Sequence, residues 1–184
     1  GNQIAETGYL QAIHQMGASL HLLNSCKKPL LQNQRVRIHL GTQEVMARIA
    51  LLGVKPLKQG EHAAALLRLE SPLVAARGDK FIVRSYSPII TIGGGEVLEV
   101  LIEEKWKVVK NKIQKLYDNP KSHQIIHIVG QEGARPLTSE KQRYRLGISE
   151  AQVKSMVDDS VELEWKNYKQ SRWLITIDQW QQLK

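Results

Sequence analysis

Between residues 34 and 98, apolar positions recur every second residue in short runs, the period of a pleated strand with one buried face. The run 34–40 alternates strictly, with Val36, Ile38 and Leu40 on one face and Arg35, Arg37 and His39 on the other. The run 45–52 is apolar on both faces except at Arg48, as expected of a central strand or barrel wall. Alternation returns over 63–69 around Leu67, Arg68 and Leu69, and the runs 80–86 and 89–98 complete the set. Lys58-Gln59-Gly60, Arg77-Gly78-Asp79 and Ser87-Pro88 supply the turns between them. Short strands at this spacing, with no helical window among them, predict a small antiparallel β-barrel or sandwich.

At Leu101 the period changes. Ile102, Trp106, Val109, Ile113 and Leu116 form one stripe of an amphipathic helix, which Asp118-Asn119-Pro120 ends. Three shorter helical windows follow, at 122–131, 139–146 and 149–157. Ser139 with Gln142, and Ser149 with Gln152, are spaced as capping boxes. Strands are expected at 161–165 and 173–177, either side of the polar stretch 166–171, and residues 178–184 begin a further capped helix. Three helices followed by a two-stranded wing is the order of a winged helix. The chain is thus read as mixed and multi-domain: residues 1–18 a linker or the tail of a preceding barrel, 19–100 an antiparallel β-barrel, 101–120 a connecting helix, and 121–184 a winged-helix domain running into a truncated module.

Composition narrows the function classes. The chain has 184 residues and a formal charge of +8, with 42% hydrophobic residues, enough for a real core. The positive excess is +5 over residues 19–99 and +4 over 100–184, and it predicts attraction to polyanions. No apolar run reaches the roughly 18 to 20 residues of a bilayer span, and no export signal is visible, so no membrane partner is expected. The single cysteine, Cys26, excludes an internal disulfide or thiolate cluster, and a cytoplasmic location is expected.

Several local patterns invite chemistry and are better explained structurally. Gly93-Gly94-Gly95 lacks the Lys-Ser or Lys-Thr of a phosphate loop and is followed by Glu96-Val97-Leu98, so a bulge or close backbone crossing is expected there. Arg77-Gly78-Asp79 sits where a turn must precede a strand. His123 and His127 are four apart on a helix, but Gln124 stands where a zinc peptidase needs Glu. No catalytic constellation and no metal site is expected. The stronger candidate is the outward row Arg35, Arg37 and His39, whose heads repeat about every 7 Å. Arg48, Arg68 and Arg84 would extend it if their faces agree. The third helical window, 149–157, offers only Lys154 and is followed by Asp158 and Asp159, which makes it a poor base reader. Lys141, Arg143 and Arg145, and the 166–172 wing, are candidate phosphate contacts.

Four blocks carry a family resemblance in order and spacing: Arg35-Val36-Arg37-Ile38-His39-Leu40-Gly41-Thr42-Gln43-Glu44-Val45, Leu66-Leu67-Arg68-Leu69-Glu70-Ser71-Pro72, Gly78-Asp79-Lys80-Phe81-Ile82-Val83-Arg84 and Thr91-Ile92-Gly93-Gly94-Gly95-Glu96-Val97-Leu98. Over residues 19–99 the chain resembles the third domain of bacterial selenocysteine-specific elongation factors, which are themselves similar to elongation factor Tu. The resemblance implies a GTPase parent, holding GTP and Mg in a domain that lies outside this stretch. It further implies selenocysteinyl-tRNA and the ribosome as partners, and an mRNA insertion hairpin bound by distal modules. Transferred by matching position, tRNA contact falls on Arg37, His39, Thr42, Arg84, Ser85, Tyr86 and Thr91, to which the charge pattern adds Arg35. Two alternatives stand beside this reading: a winged-helix DNA-binding regulator with a ligand-sensing barrel, and a structural spacer without RNA contact.

Overall fold

A computed structural model describes residues 12–100, 105–131, 137–138, 145–168 and 171–182. The chain divides into two units, 1–118 and 119–184. In the first, β1 (Ala12–Leu22), β2 (Arg35–Leu40), β3 (Gln43–Leu51), β4 (His62–Val74), β5 (Lys80–Ser85) and β6 (Thr91–Glu99) close a barrel in the order β1-β4-β3-β2-β5-β6. Every pairing is antiparallel.

Register shows how the alternation becomes an interior. Val36 pairs with Ala47 and Ala47 with Leu69; Ile49 pairs with Leu67 and Leu67 with Met16; Leu51 pairs with Ala65, Ala65 with Ala18, and Ala18 with Val97. Directly paired residues share a face, so these rows fill the barrel, and all of these side chains are buried. The expected tail at 1–18 is corrected in part, because residues 12–18 are the first half of β1 in this barrel; residues 1–11 lie outside the described residues. A register shift between Ile13 and Gln15 breaks the alternation there, which hides the strand from a periodicity reading. The expected strands 80–86 and 89–98 end and begin slightly differently, leaving Tyr86, Ile89 and Ile90 about half exposed in the connecting loop.

The glycine run serves closure, as its sequence context suggested. A register shift between Val83 and Arg84 places a bulge beside it. A Cβ at Gly93 would lie 2.3 Å from the His21 carbonyl oxygen. At Gly95 it would lie 2.1 Å from the Ser19 carbonyl and 2.6 Å from the Phe81 ring. Only glycine admits that approach of β1 and the ring of the chain's single phenylalanine.

α1 (Trp106–Asp118) packs on the outside of the barrel against β1, β4 and β6. The expected connecting helix is therefore part of the barrel unit, while residues 101–104 lie outside the described residues. Val109, Ile113 and Leu116 are its buried stripe, as read from the sequence; Trp106 is not buried. Ala50, Leu66 and Gly17, paired across β3, β4 and β1, form an apolar exterior row, and the Ile113 side chain comes so near Gly17 that a Cβ there would stand 2.7 Å away. That cover explains why β3 reads as apolar on both faces. Lys112 reaches Glu99 at 3.0 Å under the helix, and both side chains are buried.

The second unit contains α2 (Lys121–Gln131), β7 (Leu137–Thr138), α3 (Glu150–Asp158), β8 (Leu163–Tyr168), β9 (Ser171–Thr176) and α4 (Ile177–Gln182). Its sheet has the order β7-β9-β8. The Ser149–Gln152 capping box opens α3 as its spacing required. Thr176 and Gln179 cap α4 in the same manner, and the Gln179 amide also donates to the carbonyls of Val129 and Gly130. The expected helix 139–146 falls mostly outside the described residues, with 145 and 146 helical. The hairpin strands run further into the polar stretch than expected, because β8 continues to Tyr168 and β9 starts at Ser171.

Two substitutions test this packing. Gly95→Val should destabilise the barrel by about 1–3 kcal/mol or more through overpacking against β1 and Phe81, read as a lower urea midpoint. Lys112→Ala should cost about 3–5 kcal/mol by removing the buried cation that reaches Glu99, and Lys112→Met with Glu99→Leu should recover most of it. A wild-type urea midpoint for Lys112→Ala would show that the pair does not hold α1.

Candidate nucleic-acid interface

Because Val36, Ile38 and Leu40 occupy the barrel interior, Arg35, Arg37 and His39 project outward from β2. Pairing then decides their neighbours. Arg35 pairs with Arg48 and Arg48 with Arg68, an arginine row across β2, β3 and β4. Strands about 4.8 Å apart make that row about 10 Å long at the backbone. Arg37 lies between Met46 and Arg84, Arg84 pairs with Thr91, and His39 lies between Glu44 and Ile82. Five arginines thus share one exterior face, the agreement of faces that the sequence left open.

Like charges paired directly across strands repel, and two carboxylates offset part of this. Arg35 donates through Nε to Glu70 Oε1 at 2.8 Å and through Nη2 to Glu70 Oε2, a bidentate pair. Arg37 donates to Glu44, whose other oxygen lies 3.2 Å from His39 Nε2. The Tyr86 ring lies 4.8 Å from the Arg35 guanidinium and 5.7 Å from that of Arg37. Sequence reasoning missed both carboxylates. Glu44 was recoverable, since a two-residue turn at Gly41-Thr42 sets it opposite His39; Glu70 enters only through the β3–β4 register.

Arg48, Arg68 and Arg84 make no ion pair among the described residues. Arg48 reaches only the Asn33 carbonyl at 3.5 Å, Arg68 lies over the Trp106 ring at 5.4 Å, and Arg84 Nε is buried without a hydrogen-bond partner. The other nominated residues divide. Thr42 is exposed in the β2–β3 turn and Thr91 is exposed at the start of β6. Ser85 turns inward on its own loop, donating to the Pro88 carbonyl and accepting from the Ile90 amide at 3.2 Å, which pins the segment that presents Tyr86.

In the second unit the candidate cations fare differently. Arg145 is 5% exposed, a correction to its reading as a surface phosphate contact; Lys141 and Arg143 lie outside the described residues. Lys166 sits between Glu164 at 2.8 Å and the Trp180 ring at 5.1 Å, and Arg172 lies over the Trp165 ring at 4.3 Å. The exposed surface of α3 carries Glu150, Lys154, Asp158 and nearby Asp159, too acidic to face a duplex. His127 Nε2 lies 2.9 Å from the Gln131 amide on the same helix, and no group of three metal-ligating side chains occurs among the described residues. No described helix is long and apolar enough to cross a membrane.

The hydrogen bond from Arg37 holds the Glu44 carboxyl below the usual carboxylate range, helped by the charges of Arg37, His39 and Arg84 against the opposing effect of desolvation. Glu70 is held down in the same sense by its hydrogen bond from Arg35, and Arg35 is correspondingly raised. A carboxyl lowered on folding stabilises the fold above its unfolded value, and that contribution is lost as pH falls through its folded value. Both carboxylates are therefore ionised, and their arginines engaged, throughout the neutral range. In a carboxyl-detected NMR titration, Glu70 should titrate below an ordinary glutamate, and Arg35→Ala should return its midpoint upward. An unchanged midpoint in that variant would remove the pair from the account.

Comparison with known proteins finds similarity over the stretch that carries this face. Residues 18–103 match the profile described as the β-barrel domain of the selenocysteine-specific elongation factor. The chain is 37% identical over 79 residues to the selenocysteine-specific elongation factor of Desulfomicrobium baculatum, covering 43% of this chain and 12% of that protein. It is 36% identical over 72 residues to the protein of the same name from Haemophilus influenzae, covering 39% of this chain and again 12% of the relative. The chain thus spans a small fraction of the length of these relatives, and the matched stretch holds all six arginine and histidine positions of the exterior face. Residues 18–103 are accordingly similar to the β-barrel domain of selenocysteine-specific elongation factors.

Proposed function

We propose that this chain is a segment of a selenocysteine-specific elongation factor, whose barrel contacts the stem of selenocysteinyl-tRNA during its delivery to the ribosome. The observation that carries this reading is the exterior face on which Arg35, Arg37, Arg48, Arg68 and Arg84 converge within the family-matched barrel. Cations on neighbouring strands suit the phosphates and ribose hydroxyls of an A-form stem, which proteins recognise chiefly by shape. The segment's role is binding; GTP and Mg would belong to a GTPase domain elsewhere in the parent. The second unit is read as a winged helix that spaces the barrel from modules binding the mRNA hairpin, a reading supported by its α2, α3 and β8–β9 order. A cytoplasmic site of action follows from this role.

Glu44 and Glu70 act in this scheme as internal competitors for Arg37 and Arg35, releasing them when phosphate oxygens arrive. The test is fluorescence-anisotropy titration of the 184-residue chain with the tRNA at several salt concentrations. Arg37→Ala with Arg84→Ala should weaken binding about tenfold and lower the salt slope by about 1 to 2, as expected for two lost phosphate contacts. Glu70→Gln should bind several-fold tighter than wild type. Equal affinities for all three proteins would sink the proposed face, and preference for a DNA duplex over the RNA stem of the same sequence would favour the DNA-regulator reading.

A further inference from the structure

The basic face does not stop at the edge of the sheet. Arg68, the last arginine of the Arg35–Arg48–Arg68 row, lies over the ring of Trp106, the first residue of α1. Two other contacts fix how α1 lies and how it is rotated. Ile113 sits on Gly17 of β1, and Gln114 faces Gly53 after β3, where a Cβ would stand 3.7 Å from its Oε1. From Arg68 the helix therefore runs back along β4, with Trp106 and Gln114, two turns apart, on the flank that faces β3 and β4. Lys110 lies between them, four residues from each and so on the same flank, and Lys107 adjoins it at the i, i+3 spacing. Both lysines are exposed. Taking about 10 Å for the arginine row, the 5.4 Å Arg68–Trp106 contact and one helical turn, the cations from Arg35 to Lys110 span roughly 20 Å.

The helix dipole does not account for Lys107. Among the described residues the first turn of α1 contains no acidic side chain and carries Lys107, where the helix dipole disfavours a cation. Trp106 is also 44% exposed although it opens a helix whose other apolar stripe residues are buried. An exposed indole beside an arginine and two lysines is the combination that stacks on bases or riboses while neutralising phosphates. The helix lies beyond the 18–103 stretch that matches the family profile.

We infer that the Trp106, Lys107 and Lys110 flank of α1 is a second RNA-contacting surface, continuous with the barrel's arginine row and forming one track with it. The inference rests on the RNA-binding reading of the barrel. The track takes the phosphate–ribose backbone of an RNA stem, with Trp106 as its stacking element.

The experiment uses the whole 184-residue chain and a fluorescein-labelled A-form RNA stem-loop, titrated at several salt concentrations. Lys107→Ala with Lys110→Ala should weaken binding about tenfold and reduce the salt slope by about 1 to 2, with an unchanged melting temperature because both side chains are exposed. Trp106→Leu should weaken binding about fivefold or more with little change in slope, and Trp106→Phe should restore most of it. If the lysine double variant keeps wild-type affinity and slope while Arg37→Ala with Arg84→Ala loses binding, the track ends at the barrel and the inference fails, although the barrel reading stands. If neither double variant weakens binding, both fail together.

Discussion

The close approach of β1 to the glycine run of β6 is the contact on which the remaining structure depends. β1 must pair with β4 on one side and β6 on the other for the sheet to close. On the β6 side its backbone comes so near Gly93 and Gly95 that a methyl group at either would collide with a carbonyl. Closure removes both open edges of the sheet and allows the alternating residues of all six strands to meet in one core. On its other side β1 pairs Gly17 with Leu66, which pairs with Ala50, making the apolar seat on which Ile113 places α1.

From that seat the charged surface acquires its geometry. A barrel exterior is ordinarily polar and dispersed, yet here cross-strand register puts arginine opposite arginine twice in succession. Such an arrangement opposes folding by repulsion, and the structure relieves it only partly. Two glutamates engage Arg35 and Arg37, while Arg48, Arg68 and Arg84 keep no carboxylate partner among the described residues. Where local electrostatics are left unresolved on a surface, an external anion is the natural complement. The buried Lys112–Glu99 pair contrasts with this, being closed off beneath α1 and structural in character.

Much of the barrel was legible because strand period and turn chemistry are local properties. The alternation of 34–40, the turns at Gly60 and Gly78, and the structural role of the three glycines all follow from residues close in sequence. The capping box at Ser149 and Gln152 was equally local and formed as spaced. β1 was not legible, since its bulge shifts the phase of its apolar residues, and the packing of α1 was not, since an amphipathic stripe does not state what covers it. In the candidate site, the outward direction of Arg35, Arg37 and His39 was readable from period alone. Of their partners, Glu44 was within reach of a local hairpin reading, whereas Glu70 and Tyr86 were not, because they come from a non-adjacent strand and a loop.

By itself the sequence determined which residues face outward on the alternating strands, where several turns and helix starts fall, and that the chain attracts polyanions. Side-chain period and capping geometry are set within a few residues, so one dimension suffices for them. Only the tertiary structure decided which strands are neighbours and in what register. It is register that turned scattered arginines at 35, 48 and 68 into a single row, assigned two of the face's cations to carboxylates, and set Trp106 against the end of that row. Those facts depend on residues that chain order holds apart and that strand pairing and helix packing bring together.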